Sequence, residues 1–294
     1  MRIFVTGATG FVGSAVVQEL LANGHRVLGL ARSDAGAAQL EQAGADILRG
    51  TIQELDILRR GASEADGVAH LAFNHDFSRF AENIADDARA IEAIGAALAG
   101  SERPLLVTSG LALHAAGGMA TESDNPAPHF PRQSEAAAAA AAACGVRASA
   151  VRLPPSTHGK GDHGFVPILI NIAREKGVAA YIGDGQNRWA ATHRLDAAQV
   201  FRLALERGAE GGPFHAVAEE SIPFRRIAEA IGEGLKLPVV SLAPEEAEAH
   251  FGWFATFAGF DLAASSARTR ALLGWEPSRP ALLADMAENG YFDA

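Results

Sequence analysis

The stretch "RIFVTGATGFVG", residues 2–13, constrains the fold of this chain more than any other. A short apolar run enters a turn with glycines at 7, 10 and 13, and the amphipathic segment "SAVVQELLANG" follows at once. A strand that feeds a helix through such a turn has specific needs. One glycine permits the tight reversal, another lets a ligand approach the backbone, and the third lets the helix pack closely on the strand. The helix then begins with free N–H donors and a partial positive charge, which together attract an anion such as a phosphate.

The same rhythm continues. "HRVLGLAR", "ADILRG", "GVAHLAF", "PLLVTSG" and "RASAVRL" read as further strands. Between them lie the helical patterns "AGAAQLEQAG", "ELDILRRGAS" and "FAENIADDARAIEAIGAALAG", then an alanine run, for which Ser134 is the expected N-cap and Gly145 the stop. Alternation with short connections implies right-handed crossovers and a parallel sheet covered on both faces. After Leu153 the pattern loosens into the polar loop "PPSTHGKGDHG" and then mixed helices and short strands. The predicted fold class is α/β, a Rossmann-type doubly wound parallel sheet with a smaller C-terminal substrate lobe. Residues 1–155 form the dinucleotide-binding part, and residues 156–294 an interleaved lobe that also supplies the last sheet strands.

Composition narrows the function. The chain has 294 residues, 48% of them hydrophobic, enough for a sizeable core. A net charge of −10 argues against a nucleic-acid partner, which calls for a basic surface. Cys144 is the only cysteine, so an intrachain disulfide and a cysteine metal cluster are excluded; it is expected as a small buried thiol near a helix end. No apolar run reaches the roughly 18 residues of a membrane span, and residues 1–10 lack a signal-peptide pattern. A soluble cytoplasmic protein with no membrane partner is expected. There is no G-x-S-x-G elbow and no paired metal-ligand spacing, so no metal is expected.

The glycine spacing is G-x-x-G-x-x-G, opening a helix after a strand, and it points to a dinucleotide whose diphosphate sits over Gly7, Thr9, Gly10, Phe11, Val12 and Gly13. Cofactor choice is read at the end of the second strand. Arg32 and Ser33 there can bind a 2′-phosphate, which favours NADP(H) over NAD(H), while Asp34 is the opposing signal if it turns inward.

These motifs, taken with others downstream, make the chain resemble the extended short-chain dehydrogenase/reductase superfamily of the NAD-dependent epimerase/dehydratase type. "VTGATGFVG" resembles its nucleotide turn. "HLAF" is similar to its fourth-strand segment, which implies that Leu71, Ala72 and Phe73 border the adenosine and the nicotinamide ribose. "VTSGLALH" resembles the fifth-strand segment, with Thr108 and Ser109, and "VRLPPSTHGKGD" the loop over the nicotinamide, with Pro154. "GDGQNRWAATHRLDAA" resembles the segment leading to its His–x–x–Asp, here His193 and Asp196, and "SSARTRALLGWEP" its terminal segment. The chain departs from the family at the proton machinery. Aligning "PRQSE" with the family's Tyr-x-x-x-Lys places Pro131 at the tyrosine and Glu135 at the lysine. The usual catalytic Ser/Thr falls on Gly110, with Ser109 just before it. The two tyrosines, Tyr181 and Tyr291, lie in no matching motif.

Hydride transfer belongs to the cofactor, but a developing oxyanion still needs a donor. The candidate catalytic residues are Ser109, at the end of the fifth strand, His158 in the loop expected over the substrate, and His75 after the fourth strand, where Asp76 can orient it. His163, His114 and Lys160 are weaker candidates. Glu135 can accept hydrogen bonds from the ribose hydroxyls. The leading reading is an NADP(H)-dependent oxidoreductase that reduces a carbonyl or related unsaturated group. The alternatives are a non-catalytic NADP(H) sensor and a sugar-nucleotide epimerase or dehydratase. "HFGWFATFAG" implies either an apolar or aromatic substrate pocket or plain core packing. A homodimer through the helices at 82–99 and 133–144 is expected by the same resemblance.

Overall fold

The computed structural model describes residues 1–74, 79–111, 118–126 and 132–293. Its first half alternates strand and helix: β1 (Arg2–Thr6), α1 (Phe11–Ala22), β2 (Arg26–Ala31), α2 (Asp34–Ala43), β3 (Asp46–Arg49), α3 (Leu55–Ser63), β4 (Gly67–His70), α4 (Phe80–Leu98), β5 (Pro104–Gly110), α5 (Ser134–Ala143) and β6 (Arg147–Leu153). The second half continues with β7 (Ser156–His158), α6 (Phe165–Lys176), β8 (Ala179–Ile182), β9 (Arg188–His193), α7 (Arg194–Glu206), β10 (Phe214–His215), β11 (Glu219–Pro223), α8 (Phe224–Leu235), β12 (Val239–Leu242), α9 (Ala247–Phe251), α10 (Ala255–Gly259), α11 (Ala267–Leu273) and α12 (Leu282–Glu288).

The main sheet has seven strands in the order β10-β6-β5-β4-β1-β2-β3, and every pairing is parallel. The chain leaves β1 on one side for β2 and β3, then crosses to the other side for β4. That reversal opens a crevice at the carboxyl ends of β1 and β4, where open α/β sheets bind ligands. Alternate residues of β1 feed opposite cores. Ile3 and Val5 pack with α1 and α7, and Phe4 packs with Leu58 and Ile91 of α3 and α4.

The second half is woven into this sheet. β10 extends it beside β6, and α7 covers the same face as α1, so Ala197, Phe201, Phe214 and Trp275 share a core with Val16 and Leu20. Two small sheets, β11-β9-β7 and β12-β8, enclose a separate aromatic core of Phe165, Trp189, Phe224, Phe251 and Phe254. Most of the aromatic run at 250–259 therefore packs inward, while Trp253 and Phe260 remain exposed. No helix among the described residues is long and apolar enough to cross a membrane.

Three local expectations are corrected. Ser134 is not the cap of α5 but its first residue; its hydroxyl is drawn inward to the buried Asp87 carboxylate, a stronger acceptor–donor match than a helix cap. Cys144 is exposed, because α5 ends with its last turn facing solvent. Residues 156–158 form strand β7, which pairs with β9, so His158 lies in a sheet and only the following residues loop.

Candidate cofactor and active site

The glycine turn is built from backbone alone. Gly7 has φ +64, and a Cβ there would lie 2.7 Å from the backbone of Leu71 and Ala72. A Cβ at Gly13 would lie 1.9 Å from the Gly7 carbonyl oxygen. The turn and the segment after β4 are thus pressed together, and Thr6 ties them: its carbonyl accepts from Leu71 N–H at 3.2 Å and its Oγ1 from Ala72 N–H at 3.3 Å. α1 starts at Gly10 with no side-chain cap and no acidic residue in its first turn. Its leading N–H groups are left for an anion. A turn too tightly packed for a Cβ at Gly7 or Gly13, followed by uncapped helix amides, fits a dinucleotide diphosphate. Thr9, Phe11 and Val12 stay partly exposed along its rim.

At the other end of this cradle, Ser33 caps α2, accepting from Gly36 N–H at 3.1 Å. Arg32 is exposed and has no ion-pair partner among the described residues. Asp34 faces outward, where Arg49 of β3 pairs with it and also donates to the Ser33 carbonyl. Arg49 escaped sequence reasoning because it lies on the neighbouring strand, 16 residues from Ser33.

The carboxyl ends of β4 and β5 carry a buried polar chain. Thr6 Oγ1 lies 2.8 Å from His70 Nδ1, His70 Nε2 lies 3.2 Å from Asp87 Oδ1, and Ser134 Oγ donates to Asp87 Oδ2 at 2.5 Å. Arg132 Nε donates to Ser134 Oγ at 2.8 Å, and its Nη2 to the Thr108 carbonyl at 2.8 Å. Its guanidinium lies 4.1 Å over the Phe73 ring. Burial pushes the Asp87 carboxyl up, but the hydrogen bond and charge of His70, then Arg132 and Ser134, more than offset this and hold it below the usual carboxylate range. Burial pulls Arg132 down while Asp87 and Glu135 pull it back; a guanidinium stays charged regardless. The result is a fixed cation at the crevice, one residue past the position aligned with the tyrosine. Sequence reasoning stopped at Pro131 and missed it, along with Asp87 in mid-helix.

The other candidates separate. Thr108 Oγ1 donates to the His70 carbonyl at 3.0 Å, and Ser109 is buried at the end of β5 with only a long contact, 3.5 Å, to the Gly110 carbonyl. Glu135 is held by both oxygens on the Arg152 fork, at 2.9 and 2.7 Å. Pro154 is buried in the short link between β6 and β7. His158 is buried, with Nδ1 2.9 Å from Asp285 Oδ2 of α12. The hydroxyl of Tyr291 accepts from Gly159 N–H at 3.1 Å and donates to Asp162 at 3.0 Å, fastening the loop after β7. Tyr181, on β8, lies under the guanidinium of Arg225 of α8, so neither tyrosine stands at the end of β5. His163 meets the Phe11 ring edge-on at 5.6 Å. His75, Asp76, His114 and Pro131 lie outside the described residues. Asp196 takes a structural part, accepting from Ser278 and Arg279 N–H.

The buried imidazoles predict a pH response. Burial pulls His215 and His193 below the ordinary value of 6.5. An unfolded chain therefore takes up protons first as pH falls, and stability is lost between that value and the depressed ones. Thermal unfolding temperature is expected to drop from about pH 7 to about pH 5, with a shallower slope in His215→Gln. Asp87 acts the same way further into acid: its contribution is present above the usual carboxylate value and lost as pH falls through the depressed one.

Comparison with known proteins places this geometry. Residues 3–102 match the sequence pattern of the NAD dependent epimerase/dehydratase family. The chain is 51% identical over 295 residues to an uncharacterized protein of Schizosaccharomyces pombe, covering 99% of this chain and 100% of that one. It is 28% identical over 265 residues to a 2-alkyl-3-oxoalkanoate reductase of Stenotrophomonas maltophilia, covering 83% and 78%. The solved structure of a dTDP-glucose 4,6-dehydratase from Streptomyces venezuelae, with NAD and TYD bound, shares the fold with a TM-score of 0.77 at 19% identity over 99% of this chain and 96% of that one. A backbone cradle of this kind, in a chain with these relatives, makes the protein a member of the extended short-chain dehydrogenase/reductase superfamily, in its NAD-dependent epimerase/dehydratase family, an enzyme type that works with a nicotinamide dinucleotide.

Proposed function

We propose that the protein is an NADP(H)-dependent reductase of a carbonyl or related unsaturated group. The observation that carries this reading is the end of β2. Arg32 has no ion-pair partner there among the described residues, Ser33 opens α2, and Arg49 turns Asp34 away from the crevice. Those features suit a 2′-phosphate better than a bare ribose hydroxyl pair. The reductase named among the relatives supports the reaction class.

When bound, the reduced nicotinamide supplies the hydride. The chain's own groups do the rest. Backbone amides at Phe11 and Val12 hold the diphosphate, and Leu71, Ala72 and Phe73 border the crevice. Arg132 sets a positive charge beside Thr108, where a carbonyl oxygen gains negative charge as its carbon accepts the hydride. Ser109 is the adjacent hydroxyl for a hydrogen bond to that oxygen, and solvent water supplies the proton after charge has developed. His158 stays out of this scheme, since its ring is buried against Asp285. α4 and the alanine-rich α5 form the face through which the chain pairs with a second copy.

The test is loss of the reduced-cofactor absorbance band with a panel of ketones, aldehydes and imines. NADPH is expected to outperform NADH. Arg32→Met is expected to weaken NADPH by about tenfold to a hundredfold and leave NADH unchanged, the worth of one or two charge-assisted bonds. Equal loss for both cofactors, or no loss, would remove the 2′-phosphate assignment. A second reading, cofactor sensing without turnover, is favoured by where Tyr181 and Tyr291 lie; tight NADPH binding with no consumption across the panel would establish it.

A further inference from the structure

We propose that Arg194, from the second half of the chain, closes over the cofactor diphosphate as a clamp; this rests on the dinucleotide reading above. Arg194 is the first residue of α7, which runs beside α1 on the same face of the sheet. Both helices therefore begin at the carboxyl end of the strands. The Arg194 guanidinium lies 4.8 Å over the ring of Phe11, the first residue of α1. Its stem lies close to Gly159: a Cβ there would lie 3.2 Å from Arg194 Cγ and 3.4 Å from Cδ, and its φ is +134.

The cation held this way lacks an acceptor. Arg194 pairs with no carboxylate and donates no hydrogen bond among the described residues. The other arginines that are at least half-buried are all engaged. Arg2 is on Asp46 and Glu64, Arg152 on Glu135, Arg202 on Glu19 and Glu206, Arg188 on Asp261, Arg103 and Arg270 on main-chain carbonyls, and Arg132 on Ser134 and Thr108. Burial accordingly draws Arg194 below the usual guanidinium value. A half-buried cation without a partner is costly, and an anion on the α1 amides would satisfy it. The position selects which anion. Phe11 marks the diphosphate end of the cradle, whereas Arg32 and Ser33 stand across β1 at the end of β2. Arg194 thus reads the part that NADP and NAD have in common.

The experiment measures equilibrium binding of NADPH, NADH, ADP-ribose and 2′-AMP to the full chain and to Arg194→Met and Arg194→Lys. Arg194→Met is expected to weaken NADPH, NADH and ADP-ribose by one shared factor of about tenfold or more, and to leave 2′-AMP unchanged. Arg194→Lys is expected to restore part of the loss, as a point charge does in place of a fork. Wild-type affinity of Arg194→Met for all four ligands would overturn the clamp. So would an equal loss that includes 2′-AMP, which reports a collapsed site. If the wild-type chain binds none of the four, the dinucleotide reading fails with it, a result distinct from either.

Discussion

Gly13→Ala is expected to abolish dinucleotide binding, with NADPH affinity falling by at least about a hundredfold and stability by about 2–4 kcal/mol. The added Cβ would stand 1.9 Å from the Gly7 carbonyl oxygen and 2.8 Å from its carbon. These are backbone atoms, and no rotamer change relieves the overlap. The helix must move off the turn, taking the amides of Phe11 and Val12 with it. Gly7 has little room to yield in compensation, because the Leu71–Ala72 backbone lies close against it and Thr6 ties the two segments. Titration calorimetry with NADPH and a thermal melt together measure the effect. Wild-type affinity in Gly13→Ala would show that the ligand does not use these amides.

The second large effect is on turnover. Arg132→Met is expected to lower kcat by about a hundredfold to a thousandfold, the range for removing one donor aimed at a developing oxyanion. NADPH affinity should stay near the wild-type value, because Arg132 faces the end of β5 and not the glycine turn. Added guanidinium salt should recover part of the rate. Arg132 is well suited to such a role because it is held on three sides, by Ser134, the Thr108 carbonyl and the Phe73 ring, so little reorganisation is needed as charge builds. Asp87 positions it indirectly through Ser134, and its own carboxylate is fixed by His70. Unchanged kcat in Arg132→Met, with a normal melt, would send the oxyanion to another donor.

The fold was legible because its signals are local. Glycines 7, 10 and 13 between an apolar run and an amphipathic one dictate strand, turn and helix, and the alternation that follows dictates a parallel sheet. Capping was less legible: Ser134 reads as an N-cap until a carboxylate 47 residues away claims its hydroxyl. The partners at the site obey the same limit. Arg32 and Ser33 follow from their distance along the chain to the glycines. Arg49, Asp87 and Arg194 do not, because each reaches the crevice from a different strand or helix, and only the packing of those elements brings it there. Glu135 shows a further limit. Its place in the helix was read from the sequence, but its bond to Arg152 depends on how α5 lies against β6.

The weaving of α7 and β10 into the main sheet has a bearing on how such a protein can be altered by recombination. Severed near residue 155, neither piece would keep a dry interior: the leading fragment would bare the flank of α1 formed by Val16 and Leu20, and the trailing one the side of α7 formed by Ala197 and Phe201. The nucleotide-gripping portion is therefore not a cassette that can be lifted out and grafted ahead of a foreign partner. Variation in what the enzyme acts upon has to arise within the loops and the small sheets, while the shared seam between the two helices is inherited whole.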